Sequence, residues 1–98
     1  MGKSTRLEVI YHNGEADGVR TIMRHLSPIK AYVIPRQYLT EAKLLTGVNN
    51  PGVYFLVNDE TGALTQIYIG QTRNGISRLD SHNAKKDFWN KAILFLAD

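Results

Sequence analysis

Gly52-Val53-Tyr54-Phe55-Leu56-Val57 and Gln66-Ile67-Tyr68-Ile69-Gly70, separated by Asn58-Asp59-Glu60-Thr61-Gly62 and three further residues, are the segments on which the fold turns. Both are rich in β-branched and aromatic residues. The polar, glycine-containing segment between them has turn chemistry, so the pair reads as an antiparallel hairpin with a longer loop. Side chains alternate across a strand. Val53, Phe55 and Val57 therefore share one face with Tyr54 on the other, and Ile67 and Ile69 are expected to pack inward with Tyr68 opposite them. Downstream, a helix is expected from Asn74 or Gly75 past His82, with Ile76 and Leu79 packing at i, i+3. The apolar run Lys91 to Leu96 reads as a third strand.

Working back toward the N-terminus, Gly47 to Pro51 is a turn or short linker, and the pattern before it is richer in helix. Arg6 to Tyr11 alternates as a half-buried strand requires, and His12-Asn13-Gly14 ends it. Asp17 stands as an N-cap before Val19, Ile22, Met23 and Leu26, whose i, i+3, i+4, i+7 spacing predicts a short amphipathic helix stopped at Ser27-Pro28. Ile29 to Ile34 predicts a strand bounded by Pro35. Arg36 to Leu45 predicts a second helix, with Tyr38, Ala42 and Leu45 on one face and Gly47 as its stop. The expected fold is α/β in the broad sense (α+β). A small antiparallel three-stranded sheet flanked by helices spans residues 52–98, and a βαβα extension spans 1–51. Such an extension would protect an otherwise exposed sheet edge.

Composition narrows the chemistry. A chain of 98 residues holds one domain at most, and 43% hydrophobic with 21% charged residues is the balance of a folding sequence. There is no cysteine, which excludes disulfides and thiolate zinc sites and is compatible with a cytoplasmic location. His12, His25 and His82 lack the paired spacing of metal ligands. No apolar run approaches the ~18 residues that cross a bilayer, so no membrane partner is expected. Gly2-Lys3-Ser4 lacks the upstream strand and first glycine of a phosphate-binding loop. Nothing in the pattern specifies an oligomeric state.

The formal net charge is +3, and the stretch from Gln71 to Lys91 carries an excess of the same size. Arg73, Arg78, Lys85, Lys86 and Lys91 are balanced there only by Asp80 and Asp87. Such a cluster is either a solvated face or a phosphate-binding surface. Lys85-Lys86-Asp87-Phe88-Trp89 sets cations beside aromatics, but Phe88 and Trp89 precede an apolar strand and read as core anchors. Arg20 and Arg24, four apart on the expected first helix, form a second basic pair.

Gly52-Val53-Tyr54 and Tyr68-Ile69-Gly70 resemble the signature tripeptides of the GIY-YIG nuclease family, with Gly52 and Gly70 as the motif glycines. Arg78 and His82 stand where that family places an arginine and often a histidine on the following helix. The resemblance covers Gly52 to Asp98, or 47 residues. The extension is similar to the one preceding the motif in some bacterial GIY-YIG proteins of the excinuclease-like kind, which implies a DNA-repair setting. What the resemblance implies is DNA hydrolysis by a water nucleophile, one divalent metal ion (Mg2+ or another) and a tyrosine proton relay. Tyr54 and Tyr68 would face the scissile phosphate, one of them as general base, and Arg78 would hold the phosphate. His82 would donate to the phosphate or assist the relay. Arg73, Lys85, Lys86 and Lys91 would contact the nucleic acid. A tyrosine ordinarily keeps its proton to pH ~10, so a phenol acting as base needs positive charge beside it.

The family's metal-binding glutamate lies on a helix beyond the third strand, and neither Asp98 nor Glu60 stands in its place. The expected metal ligand is therefore none of these residues, the chain reads as a piece of a longer domain, and it is expected to cleave DNA poorly by itself. Two rival readings are a nucleic-acid-binding module without turnover and a structural domain whose tyrosines only pack.

Overall fold

The apolar run that begins at Lys91 becomes the strand around which the molecule is assembled. In the computed structural model, which describes residues 6–64 and 66–98, the elements β1 (Leu7–Tyr11), β2 (Arg20–Arg24), β3 (Ile29–Pro35), β4 (Gly52–Asn58), β5 (Gln66–Thr72) and β6 (Lys91–Ala97) form one sheet. Gly2-Lys3-Ser4 lies outside the described residues. The spatial order is β1-β2-β3-β6-β4-β5, and every pairing is antiparallel. β6 pairs with β3 on one side and with β4 on the other. Such an interior position suits its composition, because Ala92, Leu94 and Leu96 are buried on one face.

The three strands expected after Gly52 are present as β5-β4-β6, but the sheet has six strands, not three. Two of the additional strands, β1 and β3, are those expected in the extension, which joins the same sheet through the β3–β6 pairing, and the third comes from the segment read as the first helix. Residues 20–24 are strand β2, which pairs with β1 and β3 on its two sides. Asp17 caps no helix. The loop into β2 is closed instead by His12 N–H donating to the Val19 carbonyl at 2.9 Å and by the Asn13 side-chain oxygen accepting from Val19 N–H at 2.9 Å. A segment this short between turns cannot recover the cost of helix nucleation alone, whereas two flanking strands satisfy its backbone at once. Arg20 and Arg24 consequently sit at opposite ends of a strand. The N-terminal part reads βββα rather than βαβα.

Two short helical segments cover one face of the sheet. A 3-10 turn at Arg36–Tyr38 leads into α1 (Leu39–Ala42), and a second at Gly75–Arg78 leads into α2 (Leu79–Lys85). The helix expected to reach Leu45 stops early, because Leu44 and Leu45 already make the tighter i to i+3 bonds, to the Glu41 and Ala42 carbonyls. The core lies between these segments and the sheet. Tyr54, Leu56, Leu94, Ala92 and Ile34 meet Leu39, Ala42, Val48, Ile76, Leu79 and Trp89. Ile76 and Leu79 pack as expected.

The hairpin faces inward in the opposite sense from the one predicted. Tyr54 is only 1% exposed, while Ile69 is 63% exposed and Ile67 also faces solvent. Both hairpin faces are apolar, so alternation alone does not decide which is covered. The decisive feature is Gly70, the direct partner of Tyr54 across the ladder, because a Cβ there would run into the Tyr54 ring. The missing side chain opens room for that ring beneath α2. No helix among the described residues is long and apolar enough to cross a membrane.

Candidate active site

The turn after β5 sets the site. Thr72 Oγ1 donates to the Gly75 carbonyl at 3.0 Å and accepts from Asn74 N–H at 3.2 Å, so one buried hydroxyl holds the chain as it leaves the sheet and enters helix. Ile76 N–H bonds the Val48 carbonyl at 2.7 Å and fixes the start of that segment against the preceding loop. Arg78 and His82 follow four residues apart, on one helical face. That face looks onto β4 and β5.

There the chain brings together four of its expected site residues. The Tyr54 hydroxyl and Nε2 of His82 are hydrogen-bonded at 2.6 Å, either group donating according to the imidazole tautomer. Ring centroids are 5.4 Å apart for Tyr54 and His82, 5.0 Å for Tyr68 and His82, and 6.3 Å for Tyr54 and Tyr68. The three rings therefore form a closed triangle. Arg78 Nη1 donates to Ser81 Oγ at 3.0 Å, and its guanidinium is near enough to act electrostatically on the Tyr54 phenol. Lys86 Nζ lies 4.6 Å from the centre of the Tyr68 ring, a cation–π distance.

Burial divides the group into two layers. Tyr54 and His82 are buried, with His82 4% exposed, whereas Tyr68 is half-buried and Arg78 is exposed. Tyr68 and Arg78 are thus the members that a solute meets first. Burial raises the Tyr54 phenol above its ordinary pKa, and the neighbouring Arg78 guanidinium offsets only part of that shift. Burial also lowers the His82 imidazole, helped by the positive charges of Arg78 and Lys86. At neutral pH the buried pair is accordingly a neutral phenol on a neutral imidazole.

The motif glycines have separate reasons. Gly70 makes room for the Tyr54 ring, and a Cβ on Gly52 would strike the Phe95 carbonyl oxygen on β6. The basic residues are less concentrated than the sequence suggests. Lys86 joins the site. Lys85 is exposed at the end of α2, and Arg73 is exposed beyond β5, where it lines a separate groove with Pro51, Gly52 and Gln71. Lys91 is held elsewhere. Its Nζ binds Asp59 at 2.7 Å, and its position opposite Val57 puts it on the sheet face turned away from α2.

The donor set does not by itself fit a divalent cation. Among the described residues no three His, Asp or Glu side chains come together, and the charges acting on Tyr54 and His82 are Arg78 and Lys86, both positive. Asp80 is paired with Lys43, Asp98 pairs with Lys30 at 3.1 Å, and Glu60 is exposed in the hairpin loop. A hard cation such as Mg2+ prefers carboxylate and water oxygens, which phenols, imidazole and guanidinium do not replace.

Sequence reasoning missed the residue that holds this assembly from behind. Arg36 donates Nε to Asn83 Oδ1 at 2.8 Å, Nη2 to the Asn83 carbonyl at 2.9 Å and Nη1 to the Trp89 carbonyl at 3.0 Å. Its guanidinium also lies 4.4 Å over the Trp89 ring, and Trp89 Nε1 in turn donates to the His82 carbonyl at 3.4 Å. Every partner is at least 47 positions away, so no local pattern announces the role. Compared with known proteins, the chain stands apart: no protein-family model, no curated protein and no solved structure matches it.

Proposed function

We propose that this chain carries the phosphate-handling face of a GIY-YIG-type DNA endonuclease domain. The observation that carries the reading is the 2.6 Å bond between Tyr54 and His82, with the Tyr68 ring 5.0 Å from His82 and the exposed Arg78 charge acting on both buried groups. Arg78 offers a guanidinium to the phosphate oxygens, where charge accumulates in the transition state. Tyr68 offers a phenolic hydroxyl at the same surface. Beneath them, Tyr54 is a poor base, because burial makes its proton harder to lose. The buried neutral imidazole of His82 is the better acceptor. Tyr54 therefore acts as a relay, passing to His82 a proton taken from the attacking water side, and the base expected of a tyrosine moves one residue deeper. Lys86 favours any negative charge that develops on Tyr68.

A divalent metal belongs to the proposal as a cofactor of the complete domain, bound through carboxylates that the described residues do not assemble; no step here is assigned to it. The proposed setting is cytoplasmic DNA metabolism. The cationic surroundings without a nearby carboxylate favour one second reading, a nucleic-acid-binding module without turnover.

Nicking of supercoiled DNA in the presence of Mg2+ tests the first reading, with the chain assayed in its natural context. Loss of nicking in both Tyr68→Phe and Arg78→Ala supports the assigned roles, and nicking intact in both removes them. DNA binding that weakens with salt in a protein that never nicks supports the second reading.

A further inference from the structure

The sheet has a second face on which neither helical segment packs, although Val33 and Val57 on it are already buried. Both helical segments pack on the side of Tyr54 and Leu94, so residues of opposite parity look outward from all six strands. The pairing register aligns them in rows that cross the whole sheet. One row runs Val9, Ile22, Ala31, Phe95, Val53 and Gln71. The adjacent row runs from Tyr11 on β1 to Ile69 on β5, with Arg20 as its only charge. Phe55 and Phe95 meet edge to face near the middle, with centroids 5.7 Å apart. Leu7 at the rim is 60% exposed and Phe95 at the centre 40%.

We propose that this face is the interface of a two-fold homodimer, formed by two copies of the sheet packed face to face. Size is the first argument. Six strands spaced ~4.8 Å apart, with outward residues over about 20 Å of strand, make a footprint on the order of 600 Å2. A self-paired face of that area removes about 1,200 Å2 from water, which reaches the range of specific interfaces.

Shape is the second argument. A docked helix would cover only a stripe about 10 Å wide, whereas the apolar rows extend across all six strands. Only another sheet covers that width, and aligned sheet packing is a standard solution for two faces of equal twist. A copy of the same chain supplies a sheet of matching width and length, and a two-fold contact places each apolar row against its equivalent. Arg20, Arg24 and Lys91 share the parity of this face, and Lys91 is paired with Asp59, so cations stand around its margin while the centre at Phe55 and Phe95 is apolar, an arrangement that suits a protein partner better than a phosphate backbone. The assembly would be helix, sheet, sheet, helix. Its two Tyr54–His82 sites would open on opposite outer surfaces, so the interface stands whether or not the chain acts on DNA.

Sedimentation equilibrium of the chain up to about 100 μM tests the proposal, a concentration at which an interface of ~1,200 Å2 is expected to be populated. The expected result is a dimer that Phe95→Glu converts to monomer with its far-UV circular dichroism intact. Ile69→Lys, which alters an exposed side chain on edge strand β5, should weaken dimerisation at least about tenfold. Leu44→Glu, exposed but outside this face, should leave it unchanged. If Phe95→Glu unfolds the chain, Ile69→Lys decides. A wild-type monomer at about 100 μM overturns the proposal and leaves the face to a different partner. A dimer that survives both face substitutions overturns it as well.

Discussion

The hydroxyl of Tyr54 and Nε2 of His82 lie 2.6 Å apart across 28 positions of sequence, and both side chains are buried. The bond joins strand β4 to helix α2 at the point where the core meets the candidate site. It therefore holds the fold as well as any reacting group. In Tyr54→Phe the imidazole nitrogen stays buried and loses its partner, a situation that costs about 1–3 kcal/mol. Urea denaturation should show this as a lower midpoint with an unchanged m-value. A variant as stable as the parent would mean that the hydrogen bond contributes nothing to holding β4 and α2 together.

Gly70→Ala should be more damaging than a one-methyl change suggests. The new Cβ would overlap the terminal ring carbon and hydroxyl of Tyr54, which cannot swing away because the ring is enclosed by the core. Overpacking of this kind costs about 1–3 kcal/mol and displaces the ring from His82. The check pairs thermal unfolding with the ring-proton NMR shifts of His82. The same change at Gly62, where a Cβ meets nothing within 4 Å but φ is +82°, should show only the backbone penalty.

Much of this is legible in the sequence, and the failures have physical reasons. The hairpin, the helix after it and the strand from Lys91 are readable because turn chemistry and apolar runs are local signals. Val19, Ile22, Met23 and Leu26 mislead because only Ile22 and Met23, on opposite faces of a five-residue strand, share an element, while Val19 and Leu26 lie just outside it and complete a helical spacing by chance. What makes residues 20–24 strand is pairing with β1 and β3, a tertiary fact. The inward face of the hairpin is misassigned because isoleucines outweigh tyrosines in hydrophobicity, whereas space beside Gly70 decides the packing. The convergence of Tyr54, Tyr68, Arg78 and His82 is anticipated through the paired tripeptides. The layering of that group, with His82 beneath and Tyr68 above, depends on burial and cannot be read from spacing.

Stability should depend on pH through His82. Burial, Arg78 and Lys86 all hold its folded-state pKa below the ordinary value, while the unfolded chain protonates near pH 6.5. As pH falls below ~6.5 the unfolded state takes up a proton that the folded state refuses, so stability declines until the folded pKa is reached. Above that window the contribution is complete. Tyr54, Tyr68, Arg78 and Lys86 face the same region, and His82 is the imidazole among them. Melting temperatures between pH 8 and 5 should fall more steeply in the parent than in His82→Gln, in which the other histidines remain. Parallel curves would contradict the assignment.

Arg36→Lys tests whether the clamp behind the site positions it. The guanidinium makes three hydrogen bonds of 2.8 to 3.0 Å and stacks on Trp89, and these partners belong to two different segments, α2 and the approach to β6. A lysine keeps the charge but cannot present planar, forked donors while lying flat on an indole. The substitution should cost about 2 kcal/mol, the range of a charge-assisted hydrogen bond lost from a partly buried site. Trp89 also donates to the His82 carbonyl, so a loosened Trp89 frees the helix backbone that carries the imidazole. Two readouts distinguish a positioning role from general destabilisation. Trp89 fluorescence should shift toward that of a more hydrated indole in the folded variant. The His82 titration measured by NMR should move back toward the ordinary histidine value as its burial relaxes. A variant that lost stability with both signals unchanged would show that Arg36 braces the fold without positioning His82.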